Sequence, residues 1–465
     1  MKILFRQYLS LHFICLVMIC WGVLSPQFYF CDVHYVTSGS QISPILNSVE
    51  PGDTIYIDEG EYSEIIVINI PVTIIGINYP YIKGNYTGSV ITINASGTII
   101  DGLKVSESGT RLLDDFSCIH VEADSVTIQN NIITECLHGI YVKGGNNTSI
   151  HNNTIEGRLD LISADRGNGI HLWNSRNNHL SNNTIFNVRD GIYFSFADST
   201  EVNQNYIHNV RYGLHYMYSN TNTFTENLFE NSVAGSALMY SQRIKFYKNI
   251  FARCRGFRAY GILYQSMDYT EAWDNLIIDN SRGVFFNNSN FSRFENNDVV
   301  DNDLALQLMG SSEDVFIVNN NFINNLSSLL MTKEESTTIW TSDTSGNYWS
   351  NYTGYDLEGD GIGDVPHQIQ NVFQVLETKI PEIRFYLFSP AAEILEIAEQ
   401  SLPILSLGTE KDNKPIFRPI KNTKVPWENS GEPDFKASPL LAVTYLFFGI
   451  IPLLFLIYLS RRQRN

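Results

Sequence analysis

Residues 191–212 read GIYFSFADSTEVNQNYIHNVRY, and residues 213–234 read GLHYMYSNTNTFTENLFENSVA. Set one above the other, these 22-residue blocks align Gly191 with Gly213 and Asn205 with Asn227. The pattern extends in both directions. Asparagine recurs at Asn131, Asn153, Asn183, Asn205, Asn227, Asn249, Asn275, Asn297 and Asn321, with spacings of 22, 30, 22, 22, 22, 26, 22 and 24. Glycine keeps step at Gly139, Gly169, Gly191, Gly213, Gly235, Gly261 and Gly283. The short β-branched and aromatic runs between the markers fit no helical period. A repeat of this length built from strands and turns predicts a solenoid. The leucine pattern of a leucine-rich repeat is missing, and a propeller needs about twice the period. The reading is all-β: a right-handed parallel β-helix, each coil about 4.8 Å above the last, with the asparagines as an internal ladder. Pro51–Tyr62 and Gly88–Val105 read as its opening coils.

A length of 465 residues would suggest about three domains, a prior the repeat overturns. The net charge of −18 offers no basic stripe for phosphates and excludes nucleic acid as a partner. Six cysteines are too few for a disulfide-built scaffold, and Cys118, Cys136 and Cys254 read as lone buried thiols.

The ends predict export and anchoring. Residues 1–31 form a signal peptide or N-terminal anchor, with Lys2 and Arg6 before the apolar run Leu9–Leu24. The run LLAVTYLFFGIIPLLFLIYL, Leu440–Leu459, is long enough to span a bilayer. Arg461, Arg462 and Arg464 follow it, which places the tail in the cytoplasm and the bulk outside. The expected organisation is a β-helix over 32–345 and an acidic closing motif over 346–370. A helix and extracytoplasmic tether follow over 371–438, then a transmembrane helix over 439–460 and a cytoplasmic tail over 461–465. The helix is expected to begin at Ser389-Pro390.

Strand alternation sorts side chains by face. With each marker glycine as zero, +1 and +3 are core positions, such as Ile192 and Phe194 or Leu214 and Tyr216. Position +2 then faces outward with His171, Tyr193 and His215. Position +4 carries Trp173, Met217, Met239 and, past the last marker, Met309. Thioether and imidazole donors suit copper, especially Cu(I). Neighbouring rungs about 4.8 Å apart let one ion reach two sulfurs. The same stripe, with Trp173 and Tyr193, also reads as an interface packed by a loop or partner, or as a sugar platform. Arg189 and Arg211 stack one rung apart and could hold an anionic group of a partner.

Within Gly346–Ile369, Asp356, Glu358, Asp360 and Asp364 occupy positions 1, 3, 5 and 9 of a calcium-type loop, with Gly361 at 6. His367 stands where the bidentate Glu belongs. The other reading is an acidic turn capping the solenoid. Glycosidase chemistry needs two carboxylates across one substrate. No Asp or Glu falls on these outward positions, and enzymatic activity is not expected.

Several segments carry a family resemblance: GNGIHLWNS (Gly167–Ser175), DGIYFSF (Asp190–Phe196), YGLHYMYSN (Tyr212–Asn220), ALMYS (Ala237–Ser241), RGFRAYGIL (Arg255–Leu263) and the closing motif. The chain resembles the NosD family, β-helical maturation factors of nitrous-oxide reductase, from about Pro51 through the SPAAEILEIAE segment. The resemblance implies a non-enzymatic extracytoplasmic subunit working with the permease and ATPase of an ABC transporter. It would take copper from a copper chaperone and deliver it for the reductase's catalytic copper–sulfur centre. A membrane span departs from a purely soluble periplasmic member. The alternative is a cell-surface β-helix that binds or cleaves carbohydrate.

Overall fold

In a computed structural model the described residues are 31–420, without 310, 333–335, 371, 387–388, 393 and 396–409. Three parallel sheets of 13, 12 and 13 strands wind around one core. The first runs from Val33–Val36 to Phe316–Val318, the second from Ile66–Ile68 to Ser327–Met331, the third from Glu61–Ser63 to Tyr348–Trp349. Each strand pairs in register with its counterpart one coil away, as in Asp190–Ser195 beside Tyr212–Met217. The protein is therefore an all-β parallel β-helix. Side chains alternate as the sequence predicts: Ile192, Phe194, Leu214 and Tyr216 are fully buried.

The asparagine ladder holds the coils together at the turn between the first and third sheets. The Asn205 backbone N–H and side-chain amide both donate to Asn227 Oδ1, at 3.0 and 2.9 Å. Asn227 does the same to Asn249, at 3.0 and 2.9 Å. Each Nδ2 also reaches a backbone carbonyl of the preceding coil, as Asn227 reaches Val202. The preceding residue sits in the left-handed region, for example Asn182 at φ 54° and Asn296 at φ 55°. Asparagine tolerates that conformation, which explains the Asn-Asn doublets.

The last member differs from the reading. Asn297 bonds to Asn320, not Asn321, and Asn320 passes the ladder to Asn347. Three consecutive asparagines, Asn319–Asn321, made the register ambiguous. Asn321 begins the next strand and bonds to Asp298. A second ladder, not read from the sequence, runs from the Cys254 N–H through Asn280 and Asn302 to Asn325.

The marker glycines are a matter of close approach. A Cβ on Gly191 would lie 2.6 Å from the Gly213 carbonyl oxygen, and one on Gly235 2.7 Å from that of Gly261. Any side chain would push the coils apart.

Two further corrections concern the cysteines and the closing end. Cys118 and Cys136 are joined as a disulfide with Cα atoms 5.6 Å apart, because the turn before the next coil returns Cys136 beside the start of the strand Ser117–Val121. Cys254 is buried, and burial pushes its thiol up to about 12. Residues 410–420, which read as tether, return to the last coil instead. Lys411–Asp412 pairs antiparallel with His367–Gln368. Asp412 is fully buried and accepts from the Asn347 N–H at 2.7 Å and the Trp349 indole at 2.9 Å. The asparagine ladder thus ends on a carboxylate. A helix missed in the sequence, Val372–Lys379, packs against the strand Ser327–Met331. Of the expected SPAAEILEIAEQSL helix, Pro390–Ala392, Ile394 and Leu395 are helical.

The leader and the run Leu440–Leu459 lie outside the described residues. Among the described residues no helix is long and apolar enough to cross a membrane.

Replacing Asn227 with Leu removes the acceptor for two donors of Asn205 and the donor to Val202. Buried groups left unpaired predict a loss of about 2–4 kcal/mol. Urea unfolding followed by circular dichroism should show an earlier midpoint for Asn227→Leu; an unchanged midpoint would remove the ladder from the stability of the fold.

Candidate functional site

The second sheet turns its outward side chains into a continuous row of rings. Register pairs place His120, Tyr141, His171, Tyr193 and His215 on successive rungs. Ring centroids are 5.1, 4.5, 4.5 and 4.7 Å apart along the row, mostly edge to face. Such contacts add to the burial of the rings. The sequence reading began this row at His171. Tyr141 stands at +2 from Gly139, so the glycine marker would have found it. His120 was hidden because Cys118 occupies the marker position of its coil.

Beside the row lies a cleft of about 400 Å³ lined by Asp115, Tyr141, Lys143, His171, Trp173, Tyr193 and Ser195. Trp173 stands 39% exposed at its rim. His171 Nε2 is enclosed and has no hydrogen-bond partner. Burial holds this imidazole well below its ordinary range, at about 3, so it is neutral near pH 7. Among the lining residues described, Asp115 alone carries a carboxylate, so the pair that glycoside hydrolysis needs is not assembled there.

One rung beyond Tyr193, the row ends in a hydrogen-bonded triad. From the sequence Asp190 reads as a turn residue with no stacked carboxylate beside it; in the structure it opens the strand Asp190–Ser195 and is 1% exposed. His215 Nδ1 lies 2.8 Å from Asp190 Oδ2. Arg211 grips the same carboxylate with both Nε, at 2.8 Å, and a terminal nitrogen, at 2.5 Å. Burial raises the Asp190 carboxyl, but the hydrogen bonds from His215 and Arg211 outweigh it and hold it below the ordinary carboxylate range.

The methionines divide. Met217 and Met239 are register partners on adjacent rungs, both half-buried, and Met217 is two residues from His215. The Tyr193 hydroxyl lies 3.8 Å from Met217 Sδ. Met309 is three rungs beyond Met239, roughly 14 Å away at the strand spacing. It contacts Gln307 and Thr332 instead. Register therefore sets Met217 beside Met239 and two residues from His215, and leaves Met309 three rungs away. His171 lies two rungs from His215. Arg211 is committed to Asp190, whereas the buried Arg189 Nε has no partner.

In the acidic loop the carboxylates hold the turn's own amides. Asp356 accepts from the Gly359 and Gly361 N–H groups, Asp360 from Ile362 and Asp364 from Leu357. These carboxylates cap the turn's own amides, and Glu358 is exposed. His367 is buried against Trp349, with ring centroids 5.1 Å apart. Among the described residues no three His, Cys, Asp or Glu side chains are placed to hold a metal. A site at His215 thus depends on its thioethers.

Comparison with known proteins decides the family. A family model described as "Periplasmic copper-binding protein (NosD)" matches residues 152–354. A relative named "Probable ABC transporter binding protein NosD" from Stutzerimonas stutzeri is 30% identical over 375 residues, 77% of this chain and 85% of the relative. The chain belongs to the NosD family. A protein of the same name from Pseudomonas aeruginosa is 34% identical over 79 residues, 17% of this chain and 18% of that one. A second family model, of a protein of unknown function, matches residues 70–198.

Solved structures similar to this NosD-family chain include a mannuronan C-5 epimerase A-module from Azotobacter vinelandii. It is 14% identical, with a TM-score of 0.41, over 64% of this chain and 86% of that one. Another is a family 28 exopolygalacturonase from Yersinia enterocolitica, 11% identical with a TM-score of 0.46 over 67% and 78%. Likeness at this level supports no argument about chemistry.

Two imidazoles, the buried His367 and His171 with its enclosed Nε2, give the fold a defined pH dependence. Burial lowers His171 to about 3 and His367 to about 4, from an ordinary 6.5. Below pH 6.5 the unfolded chain takes up these protons while the folded chain does not, so stability is complete above 6.5 and falls as the pH drops. Urea midpoints at pH 7 and pH 4.5 should differ, and His171→Phe should narrow the difference. An equal difference in the variant would contradict the burial argument.

Proposed function

We propose that this protein is an extracytoplasmic copper-delivery subunit. It receives Cu(I) from a copper chaperone, works with the permease and ATPase of an ABC transporter, and supplies the catalytic copper–sulfur centre of nitrous-oxide reductase. Its own role is binding, with ATP hydrolysis on the partner. The copper-binding description of the family and the transporter-related names of its relatives support this reading.

The observation that carries it is the register of one imidazole and two thioethers on adjacent rungs: Met217 pairs with Met239, and His215 stands two residues from Met217. Soft thioethers with imidazole favour Cu(I). The residues present fit that cargo. His215 contacts Asp190 through Nδ1, which leaves Nε2 without a partner among the described residues. Met217 and Met239 are both half-buried. Trp173, exposed at the cleft rim, and the half-buried Arg189 are the residues we assign to partner contact. Tyr193 would support the site from within, between His171 and His215.

The disulfide Cys118–Cys136 accords with an oxidising compartment outside the cytoplasm. We assign membrane anchoring to the run Leu440–Leu459, with the cytoplasmic tail after it.

Two experiments test the reading. Cu(I) competition titration of the detergent-solubilised full chain against a chromogenic chelator should give a tight site. His215→Ala, Met217→Leu or Met239→Leu should weaken it by about 100-fold or more, beyond the range seen for supporting residues, and Met309→Leu should not. Unaltered affinity in the first three variants would overturn the ligand assignment. In cells, residues 439–465 fused behind an exported soluble reporter should carry it into the membrane fraction; a reporter that stays soluble would remove the anchor.

A further inference from the structure

Four histidines lie on or beside the ring row of the second sheet, and their hydrogen bonds differ. His138 Nδ1 accepts the Asn168 backbone N–H at 3.0 Å. Its proton therefore sits on Nε2, which faces Asp115 at 3.8 Å. His120 Nε2 is engaged by Glu122 at 3.2 Å. His171 Nδ1 is 3.5 Å from the Asn168 amide, and its Nε2 is enclosed, away from solvent. His215 has a carboxylate on Nδ1 at 2.8 Å and, among the described residues, no partner on Nε2. An ionised carboxylate can only accept, so the 2.8 Å contact puts a proton on Nδ1; the Arg211 terminal nitrogen, 3.4 Å from Nδ1, is spent on the carboxylate at 2.5 Å, and in the neutral ring the lone pair is then on Nε2.

We propose that Asp190 and Arg211 are positioning residues that lock His215 in its Nδ1–H form, so that among these four histidines His215 presents the copper donor. The inference rests on the copper reading above and narrows it: His171, although in the same stripe, serves as a stacking ring. Arg211 already supplies the cation that a buried carboxylate needs. Its two-pronged grip fixes the carboxylate plane, leaving Oδ2 aimed at the imidazole. Tyr193 and Tyr212 bracket the ring edge to face, with centroids 4.7 and 5.3 Å away, and limit its rotation. A ligand imidazole oriented by a carboxylate on its other nitrogen is a recurrent way to raise donor strength. Arg211 is thereby an inner clamp rather than a partner-facing residue.

The test separates the tautomer from the copper. In the solubilised full chain labelled with 15N-histidine, the His215 signals are assigned by their loss in His215→Gln. They should show the Nδ1–H form in the metal-free protein. Asp190→Asn, whose amide can donate to Nδ1, should shift His215 toward the Nε2–H form and weaken Cu(I) binding by about 10- to 100-fold. Arg211→Gln should give the same changes in smaller degree, and it serves where Asp190→Asn does not fold. His171→Phe should leave both unchanged. An Nε2–H form in the unmodified protein, or an unshifted tautomer in both variants, overturns the proposal while copper delivery stands. Loss of copper binding in His171→Phe with His215 still Nδ1–H also overturns it. If the unmodified protein binds no Cu(I), the copper reading itself fails, whatever the tautomer.

Discussion

Every other feature of this protein depends on one interaction, the buried amide that bonds coil to coil. In each step an asparagine oxygen accepts two donors from the coil before it, and its nitrogen donates to the next oxygen and to a backbone carbonyl. A turn buried inside a solenoid has backbone groups that water cannot reach, and these amides satisfy them. The ladder also sets register, because a slip of one residue would exchange inner and outer side chains. Nine-fold repetition of a strong local bond lets the outer faces vary freely. The row of rings and the two methionines could therefore be placed without disturbing the core.

Register is what turns a list of residues into a site. Residues 22 positions apart, such as Tyr193 and His215 or Met217 and Met239, become nearest neighbours. The buried Asp190 then acts across a rung, from the base of one strand to a side chain of the next. The disulfide binds the two coils that carry His120, His138 and Tyr141, so one end of the row is covalently tied.

Much of this was legible in the sequence, for a physical reason. The 22-residue period, the in-out alternation and the pairing of Met217 with Met239 all follow from spacing alone. What spacing could not supply was anything that depends on which way a turn carries the chain. The Cys118–Cys136 pair, the burial of Asp190 and the return of Asp412 to the last coil each join residues that no repeat relates. In the acidic loop the spacing that suits calcium is also the spacing by which carboxylates cap their own turn, as Asp356 does for Gly359 and Gly361. Asn320 and Asn321 show the same limit on a smaller scale: with three asparagines in a row, only the hydrogen bonds choose among them.

The central claim is that one imidazole and two thioethers on adjacent rungs receive the copper. X-ray absorption at the copper edge of the Cu(I)-loaded full chain tests it most directly. The account predicts a first shell of one nitrogen at about 2.0 Å and two sulfurs at about 2.3 Å, with a sulfur lost in Met217→Leu and another in Met239→Leu. A shell of nitrogen or oxygen alone, or one unchanged by both substitutions, would contradict it.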